Sequence, residues 1–192
     1  MNPNDSSVVH TLFLVTVVVW LILELRQSRK QRPEAYQADR GSRSVIRLSI
    51  LIAYAVSFTT RRFAPSATVR PEILTTWIGL VFMWCGMGLR FWSFQTLGRY
   101  FTFTVQTSHD QPVISAGPYR VIRHPSYAGI LLALVGLGFM IDNWASLVVL
   151  VVIALCGLIY RIIVEERALS QDLGGRYQSY ASGRKRLIPF IW

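Results

Sequence analysis

The chain has 192 residues, of which 52% are apolar and only 16% are charged, with a formal net charge of +10 at pH 7. A disordered chain would be poor in Leu, Ile, Val and Phe, and a disulfide scaffold would need more than the two cysteines present, so the composition excludes both classes. A bilayer span needs about 20 successive apolar residues, so the apolar content supplies about five spans. We therefore predict an all-α integral membrane protein with five transmembrane helices.

The N-terminal half of the chain predicts three membrane-spanning helices. The first apolar run covers residues 8–25 and lacks both a basic leading region and a small-residue cleavage site, so we expect a retained span. A second run covers residues 45–63 and a third covers residues 73–97, with two prolines in the short link between them. The polar, basic stretch between the first two runs is predicted to be a connector rather than a domain.

The C-terminal half predicts two further spans joined by a tight turn at residues 142–143. The fourth span, residues 125–141, covers only about 25 Å at 1.5 Å per residue, so it must begin in the membrane interface or lie where the bilayer is locally thin. The fifth begins near Ala145, and its helical pattern continues past the apolar stretch to Leu173. It is expected to stop at the glycine pair that follows, so its last two turns should project from the bilayer.

Basic residues are concentrated in alternate connections of this predicted topology. The loop after the first span, the loop before the fourth and the C-terminal tail together hold 16 of the 20 Lys and Arg residues, whereas the opposite side holds three. Positive charge concentrates on the cytoplasmic side of membrane proteins, so the N-terminus is predicted outside and the C-terminus in the cytoplasm. The net charge therefore reports topology, and no nucleic-acid partner is expected, because no segment interleaves basic with aromatic residues.

We expect the small residues inside the predicted spans to serve packing rather than chemistry. Cys85 and Cys156 lie in apolar runs and are expected to be buried small hydrophobes. The sequence has no metal-ligand spacing, so no metal site is predicted. Glycines in spans are expected to let neighbouring helices approach closely. These glycines are Gly79, Gly86, Gly88, Gly129, Gly136 and Gly138.

Ionisable groups at membrane depth are costly, so a cluster of them is the strongest sequence indication of a functional site. The tight turn makes the fourth and fifth spans an antiparallel hairpin with equal rise on both arms. Counting 19 residues from Asn143 in each direction reaches His124 and Ile162. The ionisable residues expected at this common depth, near the inner membrane surface, are Arg123, His124, Arg161, Glu165 and Glu166.

A purely structural interpretation of these residues stays open. Arg161 and Glu165 are spaced as an i,i+4 surface pair, which would contribute a few tenths of a kcal/mol, and the rest would be solvated interface charges. Tyr177 and Tyr180 either hydrogen-bond into a site or sit at the membrane interface. The C-terminal segment, residues 184–192, is basic and then wholly apolar, so it is either a surface anchor or a lid.

Several short motifs now appear in a fixed order along the second half of the chain. They are Gly117-Pro118-Tyr119-Arg120, Arg123-His124-Pro125-Ser126-Tyr127 with Gly129, Arg161 with Glu165-Glu166, Tyr177 with Tyr180, and Ile188-Pro189-Phe190. From about Leu97 onward, their order and spacing resemble the isoprenylcysteine carboxyl methyltransferase family. The first two spans carry no motif of that family. The resemblance divides the chain into an N-terminal transmembrane region, residues 1–96, and a catalytic region, residues 97–192.

The resemblance implies a membrane enzyme that binds S-adenosylmethionine in a pocket formed by the last two spans and a cytoplasmic C-terminal segment. It implies an acceptor that is a prenylated or otherwise lipophilic carboxylate and enters from the bilayer, among membrane lipids. Implied cofactor contacts are Gln106, Gly117, Pro118, Tyr119, His124, Tyr127, Glu165, Tyr177 and Tyr180. Implied catalytic residues are Arg123, Arg161 and Glu166, with the arginines near the acceptor; which glutamate contacts the cofactor stays open.

The same motifs leave the methyl acceptor open. Phospholipid methyltransferases share the pattern, so it identifies the cofactor better than the acceptor. Gln111 stands where eukaryotic members tend to have a histidine. The alternatives are a lipid amine N-methyltransferase, an NADPH-dependent membrane reductase, which is similar in its C-terminal part, and a non-catalytic lipid-binding membrane protein.

Overall fold

The computed structural model describes residues 3–28, 36–37, 41–70, 72–100, 106–107 and 112–192. Gln111 lies outside the described residues. The helices are α1 (Pro3–Ser28), α2 (Ser42–Phe63), α3 (Glu72–Leu97), α4 (Pro125–Met140), α5 (Trp144–Leu173) and α6 (Gly175–Ser182). Short 3₁₀ turns cover Pro65–Ala67, Gly98–Tyr100 and Gly117–Arg120. The described part also contains one antiparallel pair of two-residue strands, β1 (Tyr36–Gln37) and β2 (Gln106–Thr107), and two isolated β-bridges.

The five longest helices coincide with the five predicted spans. Of these, α2, α3 and α5 are long and apolar enough to cross a membrane, and α4 is a shorter apolar helix, as the described residues show. The predicted extension of α5 to Leu173 is confirmed, and Gly174 ends the helix with a φ of +54° that glycine adopts readily. The full five-span topology stays a prediction.

The helices are packed in two close pairs, α3 with α4 and α2 with α5. In the first pair, glycines on facing helices bring the two backbones together. A Cβ on Gly129 would lie 2.6 Å from the Gly86 carbonyl oxygen, and a Cβ on Gly136 would lie 2.4 Å from the Gly79 carbonyl oxygen. The predicted role of these four glycines is therefore confirmed. Gly88 is different, because a Cβ there would meet nothing within 4 Å.

The turn between α4 and α5 joins the two helix pairs at one end of the bundle. Asn143 caps α5 by accepting from Ser146 N at 2.9 Å, and its Nδ2 donates to the Ala64 carbonyl oxygen at 2.7 Å. Thr75 Oγ1 donates to Asp142 Oδ1 at 2.6 Å. This turn is therefore bonded to the end of α2 and to the first turns of α3, which fixes the hairpin at that end.

The core lies along the contact of α2, α4 and α5. Leu150, Ala154 and Leu158 of α5 are fully buried against Ala53 of α2 and Leu134 of α4. Large apolar side chains are exposed along the outer faces of the helices, as expected for surfaces that meet lipid rather than water.

The expectation for the cysteines was wrong. Cys85 and Cys156 are both exposed, and they do not form a disulfide bond with each other. An apolar outer helix face suits a small hydrophobic side chain as well as a core does when the surroundings are lipid. Apolar neighbours in the sequence therefore do not distinguish the two locations.

The glycine contact between α3 and α4 gives a matched pair of substitutions. Gly129→Ala places a methyl group against backbone and should destabilise the fold by about 1–3 kcal/mol, because the facing carbonyl cannot move away without separating the helices. Gly88→Ala is the control and should be neutral or slightly stabilising, since alanine is the better helix former. Thermal unfolding in detergent measures both, and equal midpoints for the two variants would contradict the close contact.

Candidate functional site

The predicted convergence of ionisable residues at the end of the hairpin away from its turn is confirmed. His124 is the N-cap residue of α4, and its side chain lies within 3.3 Å of Glu166 on α5. His124 and Arg161 are 5% and 3% exposed, so they are not the solvated interface charges of the structural interpretation. A buried cluster of this kind needs its charges paired, and the contacts described below show that pairing.

Glu166 is the centre of one network. Its Oε1 accepts from Arg123 Nη1 at 2.7 Å and lies 3.3 Å from His124 Nε2, while its Oε2 accepts from Arg186 Nε at 2.8 Å. The side chain is only 12% exposed, so these charge-assisted bonds compensate for the loss of water. One carboxylate thus joins α5, the start of α4 and the C-terminal segment.

Glu165 belongs to a second network, which extends through α4 to the start of α2. Tyr127 on α4 donates its hydroxyl to Glu165 Oε2 at 2.6 Å, and Arg161 Nε donates to the same Tyr127 oxygen at 3.1 Å. Arg161 Nη1 donates to Ser42 Oγ at the start of α2. Neighbouring glutamates on one helix therefore connect to different parts of the protein.

The C-terminal segment lies across the start of α4. Arg123 N donates to the Lys185 carbonyl oxygen and His124 N to the Arg186 carbonyl oxygen, both at 2.9 Å. Beyond these bonds the segment closes a turn in which Phe190 has a φ of +67° and is 94% exposed. The segment thus contacts the site, as a lid would, and also presents an apolar tip, as an anchor would.

Tyrosines from the 3₁₀ turn before α4 and from α6 lie near the Glu166 network. Tyr180 donates its hydroxyl to the Tyr119 carbonyl oxygen at 3.0 Å, and the Arg184 guanidinium stacks on the Tyr180 ring at 4.5 Å. Burial raises the pKa of Tyr180 to about 12, and burial together with the nearby glutamates raises the pKa of Tyr177 further. These phenols therefore stay neutral and can donate hydrogen bonds.

Two buried polar atoms in this region have no hydrogen-bond partner among the residues that the structure describes. They are the hydroxyl oxygen of Tyr177 and Nε of Arg184. Burying an unpaired polar group costs free energy, so such atoms are uncommon and point to a missing partner. Both atoms lie beside the tyrosine and glutamate cluster.

An apolar pocket of about 460 Å³ opens on the other side of Tyr127 and Arg161. Its walls come from α1, α2, α3 and α4, with Arg161 of α5, and arginines lie among its lining residues. The lining residues are Val17, Trp20, Leu21, Glu24, Leu25, Arg43, Ile46, Arg47, Ile50, Met83, Arg90, Tyr127, Ile130, Ala133, Leu134, Leu137 and Arg161. The pocket therefore meets the Glu165 network through two shared side chains.

The remaining predicted residues lie in or next to these features. Gly117 and Pro118 form the 3₁₀ turn before α4, and a Cβ on Gly117 would lie 2.7 Å from Thr96 Oγ1, so this glycine packs on α3. Gln106 lies in β2 opposite Gln37. Arg123 and Arg161 were expected together at the acceptor, but they have different bonding partners, and of the two it is Arg161 that lines the pocket.

Comparison with known proteins gives one consistent result. The family model described as phospholipid methyltransferase matches residues 74–176. A probable protein-S-isoprenylcysteine O-methyltransferase of Oryza sativa subsp. indica is 32% identical over 164 residues, covering 80% of this chain and 86% of that protein. The chain belongs to the isoprenylcysteine carboxyl methyltransferase family. It is accordingly a membrane methyltransferase of the protein-S-isoprenylcysteine O-methyltransferase class.

Two further relatives agree with this membership of the isoprenylcysteine carboxyl methyltransferase family. Protein-S-isoprenylcysteine O-methyltransferase A of Arabidopsis thaliana is 29% identical over 161 residues, covering 79% of this chain and 82% of that protein. The solved structure of a eukaryotic intramembrane Ras methyltransferase of the family is 27% identical with a TM-score of 0.62. The match covers 74% of this chain and 51% of that one, so the chain spans about half the length of the solved protein.

Sequence reasoning missed the part of the pocket that α1 and α2 supply. Trp20, Glu24, Arg43 and Arg47 line the pocket but lie outside every motif. The one available indication was that Arg43 and Arg47 are four residues apart at the start of a predicted span. That spacing places both side chains on one helix face.

Neutralising Glu166 and neutralising Glu165 should change the stability of the protein by different amounts. Glu166→Gln removes the negative charge that accepts from Arg123 and Arg186 and lies beside His124, so stability should fall by about 3 kcal/mol. Glu165→Gln is the matched control, because its Oε2 accepts from a neutral hydroxyl and should lose about 1 kcal/mol. Thermal unfolding in detergent compares them, and a smaller loss for Glu166→Gln than for Glu165→Gln would contradict the network.

Proposed function

We propose that this protein transfers a methyl group from S-adenosylmethionine to the carboxylate of an isoprenylcysteine-like or other lipophilic acceptor. The observation that carries the proposal is the junction at Tyr127 and Arg161. Both side chains line the apolar pocket, and both belong to the hydrogen-bonded network that ends at Glu165. A lipophilic acceptor in the pocket would therefore have its polar end beside the group of residues that the family motifs assign to the cofactor.

The residues present fit S-adenosylmethionine by the chemistry of their donors and acceptors. The cofactor offers an ammonium group, a carboxylate and ribose hydroxyls, which suit the carboxylates of Glu165 and Glu166 and the unpartnered atoms of Tyr177 and Arg184. When bound, the cofactor supplies a methyl group on a positively charged sulfur. The residues that would hold it are Tyr119, His124, Tyr127, Glu165, Tyr177 and Tyr180, with Gln106, Gly117 and Pro118 as further predicted contacts.

A carboxylate acceptor suits the pocket better than an amine does. Methyl transfer to a carboxylate needs orientation and exclusion of water rather than a base, because the nucleophile is already ionised. An ammonium acceptor would first have to lose a proton to a base. Among the described lining residues, Glu24 is the carboxylate, and it is ion-paired with Arg90. The arginines of the pocket would repel an ammonium group and attract a carboxylate.

The remaining elements of the proposal concern topology and partners. The apolar pocket is lined by helices whose outer faces are apolar, which supports entry of the acceptor from the bilayer. The uneven distribution of Lys and Arg supports an N-terminus outside and a site on the cytoplasmic side. The partners would then be membrane lipids and a prenylated or lipophilic substrate.

The fate of the methyl group tests the proposed function. Purified protein receives radiolabelled S-adenosylmethionine with total native lipid in one reaction and N-acetyl-S-farnesylcysteine in another. Label should enter the carboxylate as a base-labile ester, because base hydrolyses methyl esters but leaves methylamines intact. Base-stable label in phospholipid would favour the amine alternative, and binding of NADPH in place of S-adenosylmethionine would favour the reductase.

The two arginines are expected to act on different sides of the site. Arg161→Gln should raise the KM for the farnesylcysteine probe at least tenfold, since a charged hydrogen bond contributes about 1.5–3 kcal/mol, while the cofactor still binds. Arg123 stays a predicted catalytic residue, and Arg123→Ala should abolish transfer with cofactor binding partly retained. Arg62→Gln, an exposed arginine at the other end of α2, is the control. Wild-type kinetics in either site variant would contradict the role assigned to that arginine.

A further inference from the structure

The C-terminal segment carries an exposed apolar turn that the site does not use. Phe190 is 94% exposed and Ile191 is 73% exposed, and the side chain of Ile188 beside them is exposed as well. Leu187, by contrast, is buried in the protein. Adjacent apolar side chains that face outward mark a surface that contacts protein or membrane. We call residues 188–191 the apolar tip.

The apolar tip is held in one conformation rather than left as a loose end. Leu187 N and Ile188 N both donate to the main-chain oxygen of Trp192, at 2.7 and 2.9 Å. The Arg186 guanidinium lies 5.3 Å from the centre of the Trp192 ring. Phe190 adopts a φ of +67°, which is costly for a bulky residue, and such outliers point to a function. The turn therefore presents the Phe190 ring outward in a preformed geometry.

The contacts of the segment place it where the apolar part of α5 ends. Residues 144–164 are predominantly apolar and rise about 30 Å, which matches the hydrocarbon thickness of a bilayer. Glu166 follows this stretch, and Arg186 donates to it at 2.8 Å. His124 N, at the start of α4, donates to the Arg186 carbonyl oxygen. The chain that leads into the apolar tip thus lies at the level of the edge of the hydrocarbon.

The chemistry of the segment favours a bilayer as the occupant of this surface. Lys185 is exposed and Arg184 is partly exposed, and residues 184–192 contain no acidic side chain. Basic groups beside apolar side chains contact anionic lipid headgroups and the acyl-chain boundary together. Val121 is exposed next to Ile122, which pairs with Lys185 in an isolated β-bridge. The exposed apolar surface therefore continues beside the segment.

We propose that the apolar tip inserts into the bilayer interface and that Lys185 contacts anionic phospholipid headgroups beside it. The inference goes beyond the proposed function and does not rest on it, since it needs neither cofactor nor acceptor. Because Arg186 of the same segment bonds to Glu166, insertion of the tip would also hold the segment against the cluster of ionisable residues.

The test measures whether a fluorescent label on the tip is shielded from water. The full chain carries Cys85→Ala and Cys156→Ala, so that a nitrobenzoxadiazole label attaches only to Ile191→Cys, and it is placed in nanodiscs of phosphatidylcholine and phosphatidylglycerol that hold one copy. Dithionite in the water should reduce this label about tenfold more slowly than a label on Ser179→Cys, an exposed position of α6. Equal rates at the two positions would overturn the proposal.

Second substitutions separate insertion of the tip from insertion of the label alone. Phe190→Asp in the labelled chain should restore fast reduction, whereas Phe190→Leu should keep the label shielded, because it keeps an apolar side chain. Shielding that persists in Phe190→Asp would show that the label inserts by itself and would overturn the proposal. So would shielding that appears only in discs with several copies, because a second copy would then cover the tip. Lys185→Gln should remove any extra shielding that phosphatidylglycerol gives over phosphatidylcholine alone.

Discussion

A carboxylate buried on α5 cannot remain without partners that compensate for the loss of water, and the arrangement of the site follows from how Glu166 obtains them. Arg123 and His124 come from the start of α4, and Arg186 comes from the C-terminal segment. Removing any of them would leave charge uncompensated in a region of restricted water. The same ion pairs that compensate for burial therefore bring three separate parts of the chain to one place.

The helix pairs give this cluster a fixed position. Because Gly86 and Gly129 let the backbones of α3 and α4 touch, the start of α4 cannot shift relative to α3 without losing close packing. Arg90 on α3 reinforces the contact by donating to Ser126 on α4. At the opposite end, Asn143 bonds to Ala64, so the hairpin is held at both ends. The polar groups are thus mounted on rigid elements rather than on loops.

Sequence reasoning predicted the helices and the cluster of ionisable residues for a simple geometric reason. In a helical hairpin with a short turn, residues at equal sequence distances from the turn lie at the same height along the two helices. The common height of His124 and Arg161 therefore followed from the regular rise of an α-helix. The pocket did not follow, because its lining residues come from five helices whose relative rotation depends on tertiary packing. Arg43 and Arg47 belong to a part of the chain with no recognisable motif. The exposure of Cys85 could not be predicted from the sequence either, because a lipid-facing position and a core position both have apolar sequence neighbours.

Tyr127 has one hydroxyl that serves two regions at once. It donates to Glu165 and accepts from Arg161, and its side chain is also part of the pocket wall. A ligand that breaks the bond to Glu165 or the bond to Arg161 changes the hydrogen bond that the Tyr127 hydroxyl can form with the other partner. Under the proposed function, donor and acceptor would then bind with linked affinities, and linkage requires each to change the other's affinity by the same factor. The two affinities would thereby be coupled through a single phenol.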